Sequence, residues 1–175
     1  VQVHRADARS LEPVEPVDLL VTDCMGRFLV DDAMLPAVRG ARRWLRPGAR
    51  CCPDRIDLQL APVGDVSLRA VDRFTQPAFG LDLSAATRYA LNRCYHAQLG
   101  PQAQMAPAQR YHRWEVAQEA PPFDAQLVWR LRRGGRLQGL AGWFDARLAP
   151  EVQLSTGPGI ETHWGQVLFP LPPTL

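Results

Sequence analysis

The chain has 175 residues, 46% hydrophobic, with 20 basic residues, all arginine, against 18 acidic ones for a formal net charge of +2. That is enough apolar material for one core or two small ones, and the balance of charge excludes a general polyanion binder, so no direct nucleic-acid partner is expected. No apolar run approaches the roughly 20 residues of a membrane span, and the amino terminus carries no signal-peptide pattern, so no membrane partner is expected and a soluble, cytoplasmic protein is predicted.

Val1-Gln2-Val3-His4-Arg5 opens the chain in strand-like alternation and without a methionine, which reads as the continuation of a longer protein. Val17 to Thr22 reads as a second strand, and Asp32 to Arg46 as a helix. In that helix Met34, Leu35, Val38, Ala41 and Leu45 recur near the 3.6-residue period, with Arg42, Arg43 and Arg46 at its carboxyl end and Pro47-Gly48 to stop it. Strand alternating with helix is α/β grammar.

From Pro53 the pattern changes to apolar/polar alternation at Ile56–Leu60, Leu127–Leu131, Leu137–Phe144, Val152–Ser155 and Gln166–Phe169, which predicts a mostly antiparallel β unit. Arg133-Gly134-Gly135-Arg136 falls between two of these runs; Arg-Gly-Gly is also a methylation target, but Gly-Gly is a turn signal and a hairpin turn is expected. Residues 81–114 interrupt the alternation with Leu83, Ala86, Tyr89, Ala90, Arg93 and Cys94 at helical spacing, a helical excursion that either packs internally or docks on a second subunit. Cys24, Cys51, Cys52 and Cys94 show no Cys-x-x-Cys spacing, which suits a reduced compartment. Cys94, His96 and His112 are too irregularly spaced for a metal site, and no metal is expected.

The residues that carry chemistry begin at Val17-Asp18-Leu19-Leu20-Val21-Thr22-Asp23-Cys24-Met25-Gly26, where a strand runs into an acid and a second acid, Asp32, follows nine positions later. Carboxylates at the carboxyl edge of an α/β sheet sit where such folds bind ligands, and a pair of them suits a forked cation such as guanidinium. A strand-end Asp23 and a helix-capping Asp32 are the plainer alternative, and Asp31 is a substitute for Asp32.

This segment, followed by Leu29, Asp32, Met34-Leu35 and Ala41-Arg42-Arg43-Trp44-Leu45-Arg46-Pro47-Gly48, resembles the acidic hairpin and following helix of protein arginine methyltransferases. A second block resembles that family's β barrel and its Thr-His-Trp loop: Gly139-Leu140-Ala141-Gly142-Trp143-Phe144-Asp145, Leu154-Ser155-Thr156-Gly157-Pro158, and Thr162-His163-Trp164-Gly165-Gln166-Val167-Leu168-Phe169. The resemblance implies an α/β plus β fold: residues 1–52 as the end of a class I, Rossmann-like methyltransferase domain and 53–175 as a substrate-binding barrel. The excursion at 81–114 takes the place of the family's helical dimerisation arm, which implies a homodimer.

The resemblance further implies transfer of a methyl group from S-adenosyl-L-methionine to an arginine of a protein substrate. Guanidinium stays protonated below a pKa of about 12, and two carboxylates can hold its fork and draw positive charge away from the attacking nitrogen. Asp23 and Asp32 match those carboxylates and His163 a third catalytic group. Met25, Gly26 and Trp164 match the acceptor side, Trp164 as channel wall or as packing. Asp7, Ala8 and Met34 match cofactor contacts, although no Gly-rich strand-turn-helix precedes them in these residues. The family has glutamate at both acidic positions, so each carboxylate is drawn back by up to about 1.5 Å, one carbon–carbon bond. A displacement of about 1 Å can cost on the order of 100-fold in rate. With the Gly-rich cofactor segment outside these residues, a chain inactive alone is expected, and the alternative is a non-catalytic homologue serving as a protein-binding or assembly module, with Arg27 satisfying the acids internally.

Overall fold

A computed structural model describes residues 2–12, 15–29, 34–74, 80–120 and 122–172. Strand β1 (Val17–Val21) pairs in parallel with β2 (Leu45–Cys52), and helix α1 (Met34–Ala41) falls between them in sequence. Parallel strands need such a crossover because no tight turn can join them. Met34, Val38 and Ala41, spaced four and three apart, form the buried stripe of α1.

The remainder is a six-stranded antiparallel sheet in the order β4 (Tyr95–Ala97), β8 (Gln166–Pro170), β6 (Gly139–Ala149), β3 (Arg55–Val63), β5 (Gln109–Glu115), with β7 (Val152–Ser155) paired to β6. Its axis is the β3–β6 ladder, which runs in unbroken register from Arg55 opposite Arg147 to Val63 opposite Gly139. Alternate residues of these strands serve two cores. Ile56, Leu58, Phe144 and Ala146 join Trp114, Val167 and the α1 residues Met34 and Val38 in one cluster, whereas Ala61, Val63, Ala141 and Trp143 join Val66, Ala103 and Leu168 in the other. The shared first cluster fixes the α/β part on the sheet.

Where the second face of β3 turns polar, cross-strand pairing satisfies it. Arg113 donates to both Asp57 oxygens at 2.6 and 2.9 Å, and Gln59 donates to Asp145 at 2.9 Å. Asp57 is nearly buried there, and the forked guanidinium offsets what an isolated buried carboxylate would cost.

Several expected elements differ. Residues 2–5 form no strand; among the described residues they have no ladder partner, and alternation without a partner cannot hold a strand. Of the helix expected over 32–46, the described part is helical over Met34–Ala41, followed by a 3₁₀ turn at Arg42–Trp44, and Leu45 already belongs to β2. Arg43 and Trp44 donate to the Leu11 carbonyl and Arg46 to that of Pro16, which ties this stretch to the segment before β1. Pro47-Gly48 consequently lies inside β2, at an irregularity in its pairing with β1.

The excursion at 81–114 is helical only in short pieces among the described residues, 3₁₀ turns at Ser84–Ala86 and Pro101–Ala103 and α3 (Thr87–Leu91), preceded by one turn of helix, α2 (Arg69–Asp72). Its second half supplies β4 and most of β5. Residues 127–131 are extended but unpaired in any ladder; Gln109 donates to the Val128 carbonyl and the Arg132 amide to that of Met105. Arg133–Arg136 therefore makes a bend leading into β6 rather than a hairpin, held by Arg133 on Asp65 at 2.8 Å.

Candidate functional site

β1 delivers the chain to Asp23 at its carboxyl end. The Thr22 amide donates to the Cys52 carbonyl, and the Met25 amide to the Asp23 carbonyl at 2.8 Å, so the backbone folds back sharply. Met25, Phe28 and Leu29 then plunge into the core while Asp23 and Cys24 remain exposed. Phe28 anchors the loop to the sheet: its ring lies 6.0 Å from Tyr111 and 5.5 Å, edge-on, from Phe169. Gly142 on β6 makes room for it, since a Cβ there would stand 2.8 Å from the Phe28 ring. A buried anchor thus holds an exposed carboxylate in place.

The opposite wall comes from the loop before β8. The Gly165 amide donates to the Thr162 hydroxyl at 3.3 Å, and Gln98 beyond β4 donates to the Thr162 carbonyl at 3.1 Å. Gly165 has φ +57°, and a Cβ there would stand 2.6 Å from His96 Nε2, so only glycine lets the loop lie so close to β4. The His163 ring lies 3.8 Å from that of Trp164, which meets Phe144 edge-on at 5.6 Å. Below them, Gln166 is fully buried, donating to the Thr156 and Gly157 carbonyls and accepting from the Leu99 amide.

Between the two walls is an open cleft of about 520 Å³ lined by Asp23, Cys24, Gly26, Arg27, His96, His163 and Trp164. Asp23, Gly26, His163 and Trp164, singled out from two distant sequence blocks, meet in it. Asp32 and its substitute Asp31 lie outside the described residues. Met25 and Met34 are core residues, at 2% and 0% exposure, and neither lines the cleft. Among the described residues the Asp23 carboxylate and both imidazoles make no hydrogen bond or ion pair, so their polar atoms remain free for a ligand. Another cavity, of about 350 Å³ between α1 and Trp114, holds none of the expected site residues.

Asp7 and Ala8 stand apart from this cleft. Asp7 begins a turn, its carbonyl accepting from the Ser10 and Leu11 amides, and its carboxylate is held by the guanidinium and the amide of Arg9. Those bonds hold its pKa down to about 2. The Ala8 carbonyl faces Gly40 on α1. Asp7 is exposed and engaged by Arg9, Ala8 is half-buried, and Met34 is sealed in the core.

His96 is the cleft residue whose place spacing does not reveal; Gln166, read as the start of a strand, is buried beneath the cleft rather than lining it. A buried glutamine between Gly165 and Val167 is the one local signal for Gln166, since a polar side chain in an apolar strand needs partners. His96 had none, because β4 is only three residues long.

A model of the arginine methyltransferase oligomerization subdomain matches residues 54–175. The chain is 29% identical over 185 residues to protein arginine N-methyltransferase 6 of Xenopus tropicalis, covering 97% of this chain and 54% of that protein. It is 29% identical over 191 residues to the histone-arginine methyltransferase CARMER of Drosophila persimilis, covering 98% and 36%. The chain thus spans about half, or less, of the length of these relatives. By fold it is similar to the Trypanosoma brucei PRMT1 enzyme-prozyme heterotetrameric complex with AdoHcy, with a TM-score of 0.71 at 19% identity over 94% of this chain and 55% of that one. Arabidopsis thaliana protein arginine methyltransferase 10 also gives a TM-score of 0.71, at 22% identity over 97% and 60%. The mostly antiparallel sheet is the barrel-like carboxyl-terminal region of a class I methyltransferase, and the chain belongs to the protein arginine methyltransferase family.

Proposed function

We propose that this chain supplies the acceptor side of a protein arginine methyltransferase, binding a substrate arginine in the cleft between Asp23 and the His163-Trp164 wall. The observation that carries the proposal is the meeting, in one cleft, of a carboxylate and an imidazole, both unpaired among the described residues, from sequence blocks 140 positions apart. Asp23 would hold one edge of the guanidinium fork, with Asp32 as the proposed second carboxylate. His163 offers one ring nitrogen as donor or acceptor to the bound group, and Trp164 gives the planar cation an aromatic wall. In this arrangement Met25 acts by seating the loop, and Gly26, with φ +55°, by turning it.

S-adenosylmethionine is the proposed methyl donor, in keeping with the AdoHcy of the Trypanosoma brucei complex. Its binding is assigned mainly to parts of the protein other than residues 7, 8 and 34. We take residues 1–52 as the end of the Rossmann-like domain, residues 53–175 as the barrel, and a second copy docking through the arm as the oligomeric partner. A cytoplasmic location is part of the same proposal; no helix among the described residues is long and apolar enough to cross a membrane.

The test is transfer of labelled methyl from S-adenosylmethionine to an Arg-Gly peptide by the protein that contains this chain. Asp23→Asn should lower transfer on the order of 100-fold or more, the scale of losing one preorganised electrostatic group. Unchanged transfer removes Asp23 from the mechanism. One observation favours a non-catalytic, protein-binding role instead: Asp23 is a carbon shorter than the family's glutamate. Absence of transfer together with retained arginine-peptide binding would establish that second reading.

A further inference from the structure

His96 belongs to neither block that marks the acceptor side, yet it lines the same cleft as Asp23, His163 and Trp164. β4 places it there: Tyr95, His96 and Ala97 pair with Leu168, Val167 and Gln166 of β8, so His96 lies beside the Thr162–Gly165 loop. The contact is close, because His96 Nε2 occupies the space that a side chain at position 165 would need. Gln98, two residues on, fastens the same loop through Thr162. His96 is exposed, and among the described residues neither ring nitrogen has a hydrogen-bond partner.

From this placement we infer that His96 is a further substrate-binding residue, which hydrogen-bonds the peptide backbone beside the acceptor arginine. The inference rests on the acceptor-site reading proposed above. An arginine entering the cleft puts its guanidinium at Asp23 and leaves its main chain at the mouth, where every peptide unit carries a carbonyl and, proline excepted, an amide. An imidazole can meet either group, since its two nitrogens are one donor and one acceptor when neutral. Asp23 then selects the side chain, and His96 fixes the direction of the chain that carries it. Cys94 and His112 take no part; Cys94 is exposed elsewhere and the His112 ring lies tilted against Phe123, centroids 4.5 Å apart.

The experiment follows the imidazole carbon-bound proton signals of the full chain by NMR while an acetylated, amidated Gly-Arg-Gly peptide is added, with signals assigned by loss in His96→Ala and His163→Ala. The His96 signals should shift and saturate together with those of His163. His96→Ala should weaken peptide affinity about three- to tenfold, the scale of one lost hydrogen bond, and His96→Asn, which keeps a donor and an acceptor, should restore part of it. Movement of His163 with His96 unmoved, or unchanged affinity in His96→Ala, overturns the inference and leaves the acceptor site standing. If no signal moves and no binding is measured, the acceptor-site reading fails and the inference falls with it.

Discussion

Asp23 owes its position to its neighbours, because its carboxylate has no bond of its own among the described residues. Met25, Phe28 and Leu29 fix the backbone on either side of the sharp return, and the carboxylate is left facing the cleft. His112 is the opposite kind of residue. Its ring lies tilted against Phe123, its Nε2 is buried without a partner among the described residues, and burial lowers its pKa below the ordinary value of 6.5. The unfolded chain therefore takes up a proton at His112 before the folded one does. Stability should fall as pH drops below about 6.5, because the unfolded state then binds more protons. His112→Phe should flatten that part of a denaturation-midpoint-against-pH curve; an unchanged slope would show that another group titrates there. Asp23 was legible from the sequence because an acid closing an apolar strand is a local signal. His96 was not, because its role comes only from the partner strand that brings it to the cleft.

At the scale of elements, the decisive contact is between the loop after β1 and the sheet. Phe28 carries it, buried between Tyr111 and Phe169 over Gly142. Phe28→Ala should cost about 3–5 kcal/mol, the range for deleting a buried aromatic ring, measured by denaturant unfolding. A cost under about 1 kcal/mol, typical of a surface substitution, would mean that the loop is not docked this way. Gly165→Ala should lower arginine-peptide affinity while leaving the second core intact, since it disturbs only the loop against β4. Unchanged affinity would show that the loop's approach to β4 is not needed for binding. β3, β6, β7 and β8 were legible because each falls on a short run rich in aliphatic and aromatic residues, with β3 alternating over its first half. β5 was hidden because Gln109–Glu115 buries only Trp114 fully, and its other positions are satisfied by side-chain contacts such as Arg113 with Asp57. The apolar run at 127–131 suggested a strand, but its polar bonds go to Gln109 and Met105 rather than to a ladder.

At the scale of the whole molecule, the stretch 81–114, read from the sequence as an arm, leaves Leu81 and Tyr89 each 62% exposed. Large apolar side chains so exposed are candidates for an interface, and the family model that covers the barrel is an oligomerization subdomain. Leu81→Asp with Tyr89→Asp should shift sedimentation toward a single copy without lowering the thermal midpoint. An unchanged sedimentation profile places any self-association elsewhere. The α/β plus β organisation was legible from the switch in periodicity near Pro53, whereas the arm's true extent depends on which half of 81–114 is claimed by β8 and β3.

Since the central claim is recognition of guanidinium by the cleft, the most direct measurement compares equilibrium binding of three otherwise identical peptides carrying arginine, lysine or citrulline. Citrulline keeps the shape of arginine and removes its charge. The arginine peptide should bind, the lysine peptide more weakly for want of a fork and the citrulline peptide not measurably, and Asp23→Asn should abolish the arginine preference. Equal affinity for arginine and citrulline, or a preference untouched by Asp23→Asn, would contradict guanidinium recognition by the cleft.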